Sequence, residues 1–281
     1  MRTSRALASP APSPQEIGRA ATLALHDELA LSPKPGLVTL TDRGSHADMD
    51  AHTFMRSLFA LRSYFVRIAE LGAAQAPFEA LEACGIAAEA RMLAATQGIN
   101  THRGAIFMLG LLCASAGSLA ARGLRPTVDG LRHTLTQRWG EALARRALRP
   151  SALPGGQAAS RLGLRSASAE AALAFPTLFE TAVPALRAAR SRGLASGPAR
   201  LDTLFATMAV LDDCNLAHRG GLAGLRFAQG CARDFIAAGG AGRPDGLAAA
   251  AALGAEFVAR NLSPGGAADT LAAACWLDRL G

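Results

Sequence analysis

The stretch Gln97-Gly-Ile-Asn-Thr-His-Arg-Gly-Ala-Ile-Phe-Met-Leu-Gly110 sets four hydrogen-bonding side chains, Asn100 to Arg103, directly before a glycine and a long apolar run. The run from Gly104 to about Ala121 reads as a buried helix, and Gly98 ends the helix before it. The four polar residues therefore fall at a helix N-terminus, where free N–H donors and the positive end of the dipole collect. His102 and Arg103 add to that positive character and make an anion site. A plain N-cap role for Thr101 accounts for only one of the four.

Outward from this point, helix signals recur along the chain. Ser13-Pro14-Gln15-Glu16 is a capping box with proline at the first helical position. The helix it opens runs to about Leu31 and is stopped by Pro33 and Pro35. A polar loop (36–50) leads to a helix over 51–71. Pro77 opens the helix that ends near Gly98, and Thr127 caps another that runs to about Leu148. Residues 149–165 are rich in Pro, Gly and Ser and read as a loop. Pro176 starts a helix that Pro184 kinks, and Pro198 starts one reaching about Asp212. Two more lie near 221–238 and 244–261, and Ser263-Pro264 opens the last. Only Thr39-Leu40-Thr41 has any strand character. Aromatics are 5% of the chain and hydrophobic residues 50%, with alanine and leucine dominant, a composition that favours helix. The expectation is an all-α protein: a single multi-helix bundle over 14–281 as the catalytic domain, behind a disordered lead-in (1–13).

The net charge is +7 and almost wholly arginine, with Lys34 the only lysine. Such a balance suits a phosphate-rich ligand. The cysteines (Cys84, Cys113, Cys214, Cys231, Cys275) form no CxxC pair, zinc spacing or disulfide framework, which points to a reducing cytoplasm. The N-terminus lacks the apolar segment of a signal peptide, and no apolar span approaches the ~20 residues that cross a bilayer, so no membrane partner is expected.

Helical periodicity then places acids where a core should be. Glu28 falls within the face formed by Ile17, Ala21, Ala24, Leu25 and Leu31. Glu89 falls within the face of Phe78, Gly85, Ile86, Met92 and Leu93. Asp212 extends the face of Leu201, Phe205 and Met208. An ionised carboxylate facing a core is costly unless it is paired or bound to metal. Three of them point to a polar, acidic metal and nucleotide site between helices. Glu82 also lies near an apolar face, but its place by the helix start suits the dipole instead. The connecting loops are chemically loaded as well. Ser32-Pro-Lys-Pro-Gly36 holds out Lys34, and His46 and Asp48 share one side of an extended loop. Asp212-Asp-Cys-Asn-Leu-Ala-His-Arg-Gly-Gly221 packs acids, an amide and Arg219 before two glycines. Ser263-Pro-Gly-Gly266 begins a helix where backbone N–H groups can approach an anion. Buried acids repel nucleic acid, which is therefore not an expected partner.

Taken together, SPKPGLV (32–38), GSHADM (44–49), AEARML (88–93), TQGINTHRGAIFMLGLL (96–112), DDCNLAHRGG (212–221) and SPGGAADTLAAA (263–274) resemble the triphosphoribosyl-dephospho-coenzyme A synthases. The likeness runs from about residue 15 to the C-terminus. It implies an all-α enzyme that joins ATP to 3′-dephospho-CoA. In that reaction the 2′-hydroxyl of dephospho-CoA attacks the anomeric carbon of the ATP ribose, adenine leaves and the triphosphate stays. A downstream holo-acyl-carrier-protein synthase would use the product, the prosthetic-group precursor of malonate decarboxylase or citrate lyase. Arg103, where citrate-type members usually carry lysine, and the pair Asp212-Asp213 resemble the malonate decarboxylase branch more closely.

Displacement at a ribose carbon passes through an oxocarbenium-like state. Asp48 and Asp213, in loops at helix junctions, are the expected catalytic carboxylates, with His46 orienting Asp48 or protonating the leaving base. Glu28, Glu89 and Asp212 are the expected ligands of Mg²⁺, which prefers oxygen and binds with substrate phosphates. Lys34, His102, Arg103 and Arg219 are expected on phosphate, beside Asn100, Thr101, Asn215, Ser263 and Asp269. Gly220, Gly221, Gly265 and Gly266 are expected to let backbone approach the ligand. The alternative is a Mg-dependent hydrolase of N-glycosidic bonds resembling the ADP-ribosyl hydrolases. An apolar helical surface could also support a homodimer.

Overall fold

A computed structural model of the chain describes residues 10–281. The lead-in expected at 1–13 therefore lies mostly outside the described residues. Twelve α-helices follow in order: α1 (Pro14–Ala30), α2 (Ala51–Ala73), α3 (Phe78–Ala95), α4 (Arg103–Ala120), α5 (Val128–Ala147), α6 (Pro154–Leu162), α7 (Ala167–Ala172), α8 (Val183–Ser191), α9 (Ser196–Val210), α10 (Cys214–Ala237), α11 (Gly246–Ala259) and α12 (Gly265–Leu280). There is no strand among the described residues, Thr39–Thr41 included.

The start of α1 is set as its sequence dictates. Ser13 Oγ accepts from the Glu16 N–H at 3.2 Å, and the Glu16 carboxylate accepts from the Ser13 N–H at 2.7 Å. The Asp50 and Thr127 side chains cap α2 and α5 by accepting from the Thr53 and Gly130 N–H groups. The centre of the bundle is α4, against which α2, α12 and α5 pack, while α1 lies across α2 and α12. Two glycines allow α2 and α4 to meet at backbone distance. A Cβ on Gly72 would stand 1.9 Å from the Ala114 carbonyl oxygen, and one on Gly117 would stand 2.0 Å from that of Ala69. The helix α4 is long and apolar enough to cross a membrane, contrary to the expectation that no span came close. It is 72% buried, so its apolarity is spent on the core.

Several boundaries depart from expectation. The segment read as a loop (149–165) contains α6. Pro154 sits in its first turn, and Gly163, at φ 65°, ends it in the left-handed conformation. Its two glycines, Gly155 and Gly156, hid it. Residues 177–182 form a π-helical turn directly before α8, in which the Val183 N–H reaches the Leu178 carbonyl. This wider turn accommodates Pro184, whose ring would clash with an ordinary i−4 carbonyl. α9 ends at Val210 rather than Asp212, and α10 begins seven residues earlier than expected, at Cys214. It bends at Gly221, whose φ of 62° and ψ of −163° are non-helical.

Candidate active site

Four helix N-termini line one cleft of about 640 Å³: α4 (Asn100 to Gly104), α6 (Pro154 to Gly156), α10 (Asp212 to Asn215) and α12 (Ser263 to Gly266). The far part of the cleft is apolar, walled by Phe78, Leu81, Ile86, Phe107, Met108 and Leu111. Ile86 is 65% exposed because it faces this space, so the face assigned to α3 from periodicity is only partly core.

Asp213 ties two of these starts together. Its Oδ1 caps α10 by accepting from Asn215 N–H at 2.9 Å and Leu216 N–H at 3.3 Å. Its Oδ2 accepts from Ala267 N–H of α12 at 3.0 Å. Burial raises its carboxyl above the usual range, while these N–H bonds pull the other way. Asp269, one turn into α12, reaches the start of α4. A Cβ on Gly104 would stand 1.9 Å from Asp269 Oδ2, so only glycine leaves room for it. The Ala105 N–H favours the charged form of this carboxylate. Burial, and then the nearby charges of Glu28 and Asp213, push its proton affinity well above that of an ordinary aspartate.

Two buried polar atoms just before the start of α4 have no partner. His102 is 3% exposed. Its Nδ1 lies 2.7 Å from Ser57 Oγ, while its Nε2 makes no hydrogen bond. Thr101 Oγ1 is buried and likewise unpartnered. Burial first, and then the charge of Lys34, hold His102 neutral, its pKa lowered to about 3. His46 is neutral too, lowered to about 4 by burial and by Arg219. Arg219 Nη2 donates to His46 Nδ1 at 3.0 Å. That nitrogen is thus an acceptor, and Nε2 donates to Ser263 Oγ at 2.9 Å.

The chain matches the family described as ATP:dephospho-CoA triphosphoribosyl transferase over residues 14–281. It belongs to that family. It is 40% identical over 258 residues to the 2-(5′′-triphosphoribosyl)-3′-dephosphocoenzyme-A synthase of Pectobacterium atrosepticum, covering 89% of this chain and 84% of the relative. It is 38% identical over 268 residues to the Klebsiella pneumoniae protein of the same name, covering 94% of each. No solved structure matches the chain.

For a member of this transferase family, the expected site residues divide clearly. Glu28, His46, Glu89, Asn100, Thr101, His102, Arg103, Asp212, Asp213, Asn215, Arg219, Ser263, Gly265, Gly266 and Asp269 all line the cleft. Lys34 does not. Rather than being held out for phosphate, its Nζ is buried and bonds Glu28 Oε1 at 2.5 Å and the Glu28 carbonyl at 2.6 Å. Asp48 lies outside the cleft with its side chain 62% exposed, and it reaches His46 only at 3.9 Å. Gly220 makes room for Leu262 and Gly221 supplies the bend in α10, so neither meets the cleft. Gly265 and Gly266 do line it, but the space beside them is taken by Asn215 and Asp213. Arg219 serves as a clamp as well as a wall. It donates to the Ser45 carbonyl at 2.9 Å and to Asn261 Oδ1 at 2.8 Å, holding the 44–48 loop against the start of α12.

The three acids expected to share a metal are not gathered into one ligand group. Glu28 is paired with Lys34, Glu89 with Arg103 at 2.6 Å, and Asp212 accepts from the Arg165 N–H at 3.0 Å. No group of three His, Cys, Asp or Glu side chains among the described residues is close enough to hold an ion unaided. The sequence reading also passed over several wall residues. Glu82, set aside as a helix-start acid, pairs with Arg146, whose guanidinium lies 5.3 Å from the centre of the Phe107 ring. Arg165 pairs with buried Glu170, which also accepts from Thr177. Ser166 as the N-cap of α7, with Glu170 in its first turn, was the available signal.

Proposed function

We propose that this cleft transfers the 5-triphosphoribosyl group of ATP to the 2′-hydroxyl of 3′-dephospho-CoA with release of adenine. The carrying observation is the convergence of four helix N-termini and a set of carboxylates on one cleft in a chain of this family. The start of α6 and the guanidinium groups of Arg103 and Arg165 suit the phosphates, and the carboxylates suit a cationic sugar. The apolar far part suits the uncharged portions of the two substrates. We assign the product to the malonate decarboxylase branch, on Arg103 and the Asp212-Asp213 pair, and the enzyme to the cytoplasm, where its substrates are made.

The donor set fits magnesium in one way only. A cage made of protein alone is absent among the described residues, but Mg²⁺ usually keeps waters and binds through one or two carboxylates together with substrate phosphates. Asp212 and Glu89 would hold it, since each lines the cleft and has a carboxylate oxygen outside any hydrogen bond. Bound there, the ion would neutralise phosphate charge. The chain's own residues do the rest: Asp213 fixes the two helix starts, Arg219 fixes the wall loop, and the apolar residues exclude water.

Mass spectrometry of the product from ATP and dephospho-CoA tests the reading. The expected species retains every phosphate of both substrates and lacks one adenine. Adenine released at the same rate without the acceptor, and no coupled species, would replace the reading with N-glycosidic hydrolysis.

A further inference from the structure

The proposed reaction needs a group that accepts the proton of the attacking hydroxyl. Asp48 and Asp213, the carboxylates the sequence put forward, are poorly placed for it. Asp48 stands outside the cleft, and both oxygens of Asp213 already accept backbone N–H bonds. Asp269 differs from both. It lines the cleft, and no arginine, lysine or histidine among the described residues forms an ion pair with it. The side chains that perturb it are the acids Glu28 and Asp213. The residues leading into Gly104, against which Asp269 packs, carry the two unpartnered buried atoms His102 Nε2 and Thr101 Oγ1.

This is a poor niche for a bare phosphate, because Asp269 already occupies the start of α4 and like charges repel. It is a good niche for a sugar hydroxyl. A carboxylate can accept its proton, and a neutral imidazole and a threonine hydroxyl can each exchange one hydrogen bond with neighbouring ribose oxygens. Uncommitted buried polar atoms are rare in folded proteins and point to a missing partner.

On the function proposed above, we infer that Asp269 is the general base for the acceptor 2′-hydroxyl, with His102 and Thr101 as the residues that position the acceptor ribose. The hydroxyl proton passes to an Asp269 oxygen as the 2′-oxygen bonds to the anomeric carbon of the ATP ribose. The bond from that carbon to adenine N9 breaks, and its electron pair stays on the adenine. Adenine takes up one proton, so the proton lost from the hydroxyl is balanced.

Asp269→Asn keeps the shape and removes the charge, so it isolates the effect of that charge. The expected result is a loss of kcat of about 10²-fold or more, with the KM for ATP within about threefold of wild type. A carboxylate crowded by two other acids destabilises the fold, so the same change should leave the thermal midpoint equal or higher. A purely structural aspartate would give the reverse, a lower midpoint with activity falling in step. Thr101→Val should raise the KM for dephospho-CoA without raising that for ATP. Turnover of Asp269→Asn above a third of wild type, with wild type forming the coupled product, would overturn the inference and leave the family reaction intact. Wild type that forms no coupled product would remove both.

Discussion

Acidification should weaken this fold in a way that His102 largely controls. Its ring is buried, bonded through Nδ1 to Ser57 and pressed by the charge of Lys34, and its pKa is held at about 3 rather than 6.5. Above pH 6.5 neither the folded nor the unfolded chain protonates this ring, and its stability contribution is constant. Between pH 6.5 and 3 the unfolded chain takes up a proton that the folded chain refuses, so stability falls as pH falls. From pH 6.5 to pH 5 that is 1.5 pH units, worth about 2 kcal/mol at ~1.36 kcal/mol per unit. His46, lowered to about 4, acts in the same direction. Asp213 and Asp269, with raised values, act in the opposite direction: protonation relieves them in the folded chain first. The clean measurement is therefore a difference. Urea unfolding of wild type and His102→Asn at pH 7 and pH 5 keeps every other group in common, and the asparagine amide can still meet Ser57. Wild type should lose about 2 kcal/mol more than the variant across that interval. Equal losses in the two proteins would show that His102 titrates normally in the folded state, and the account of its burial would be wrong.

The ion pair between Glu28 and Lys34 is nearly sealed from water, so Glu28→Gln or Lys34→Met alone should cost about 3–5 kcal/mol in denaturant unfolding, while the double change should cost less than the two singles added together. Gly104→Ala drives a Cβ into Asp269 Oδ2; it should cost about 1–3 kcal/mol and depress turnover more than stability, as read by calorimetry and product formation. Arg219→Met removes the clamp on the 44–48 loop, and hydrogen exchange should speed up at Ser45 and His46 while the α4 core stays protected.

Most of the fold was legible because it is written in helix punctuation. Ser13, Thr127 and Pro77 each mark a start within a residue of where the helix begins. What stayed hidden depended on tertiary contacts. Gly155 and Gly156 look like loop residues until α10 packs on α6, with Gly155 against Cys214. Glu28 was correctly read as a buried acid, since periodicity reports which face turns inward. Periodicity cannot report what waits there, and the partner proved to be Lys34, six residues away across the turn. Glu89 was likewise read as inward-facing and does line the cleft; what periodicity could not tell is that its face meets open space as well as core, which the 65% exposure of Ile86 reveals. Asp48 was attractive because of His46 two residues earlier, yet the imidazole is claimed by Ser263 and Arg219 from distant parts of the chain.

Two acids of this cleft, Asp213 and Asp269, are held by helix starts and not by cations. Asp213 spans the first turns of α10 and α12, and Asp269 sits against that of α4. Each carboxylate thereby uses N–H groups that would otherwise serve an anionic ligand. A triphosphate entering the cleft finds several of its natural donors already taken by the protein's own negative charge. On the proposed function it would draw instead on Arg103, Arg165 and a cation brought with it. Under that proposal, a site arranged in this way would repel free phosphate but accept a metal-neutralised nucleotide, and would keep negative charge close to a sugar carbon that becomes positive as the glycosidic bond breaks. The cost of burying those acids is thus repaid at the transition state, where a cleft lined only by arginines would oppose the developing charge.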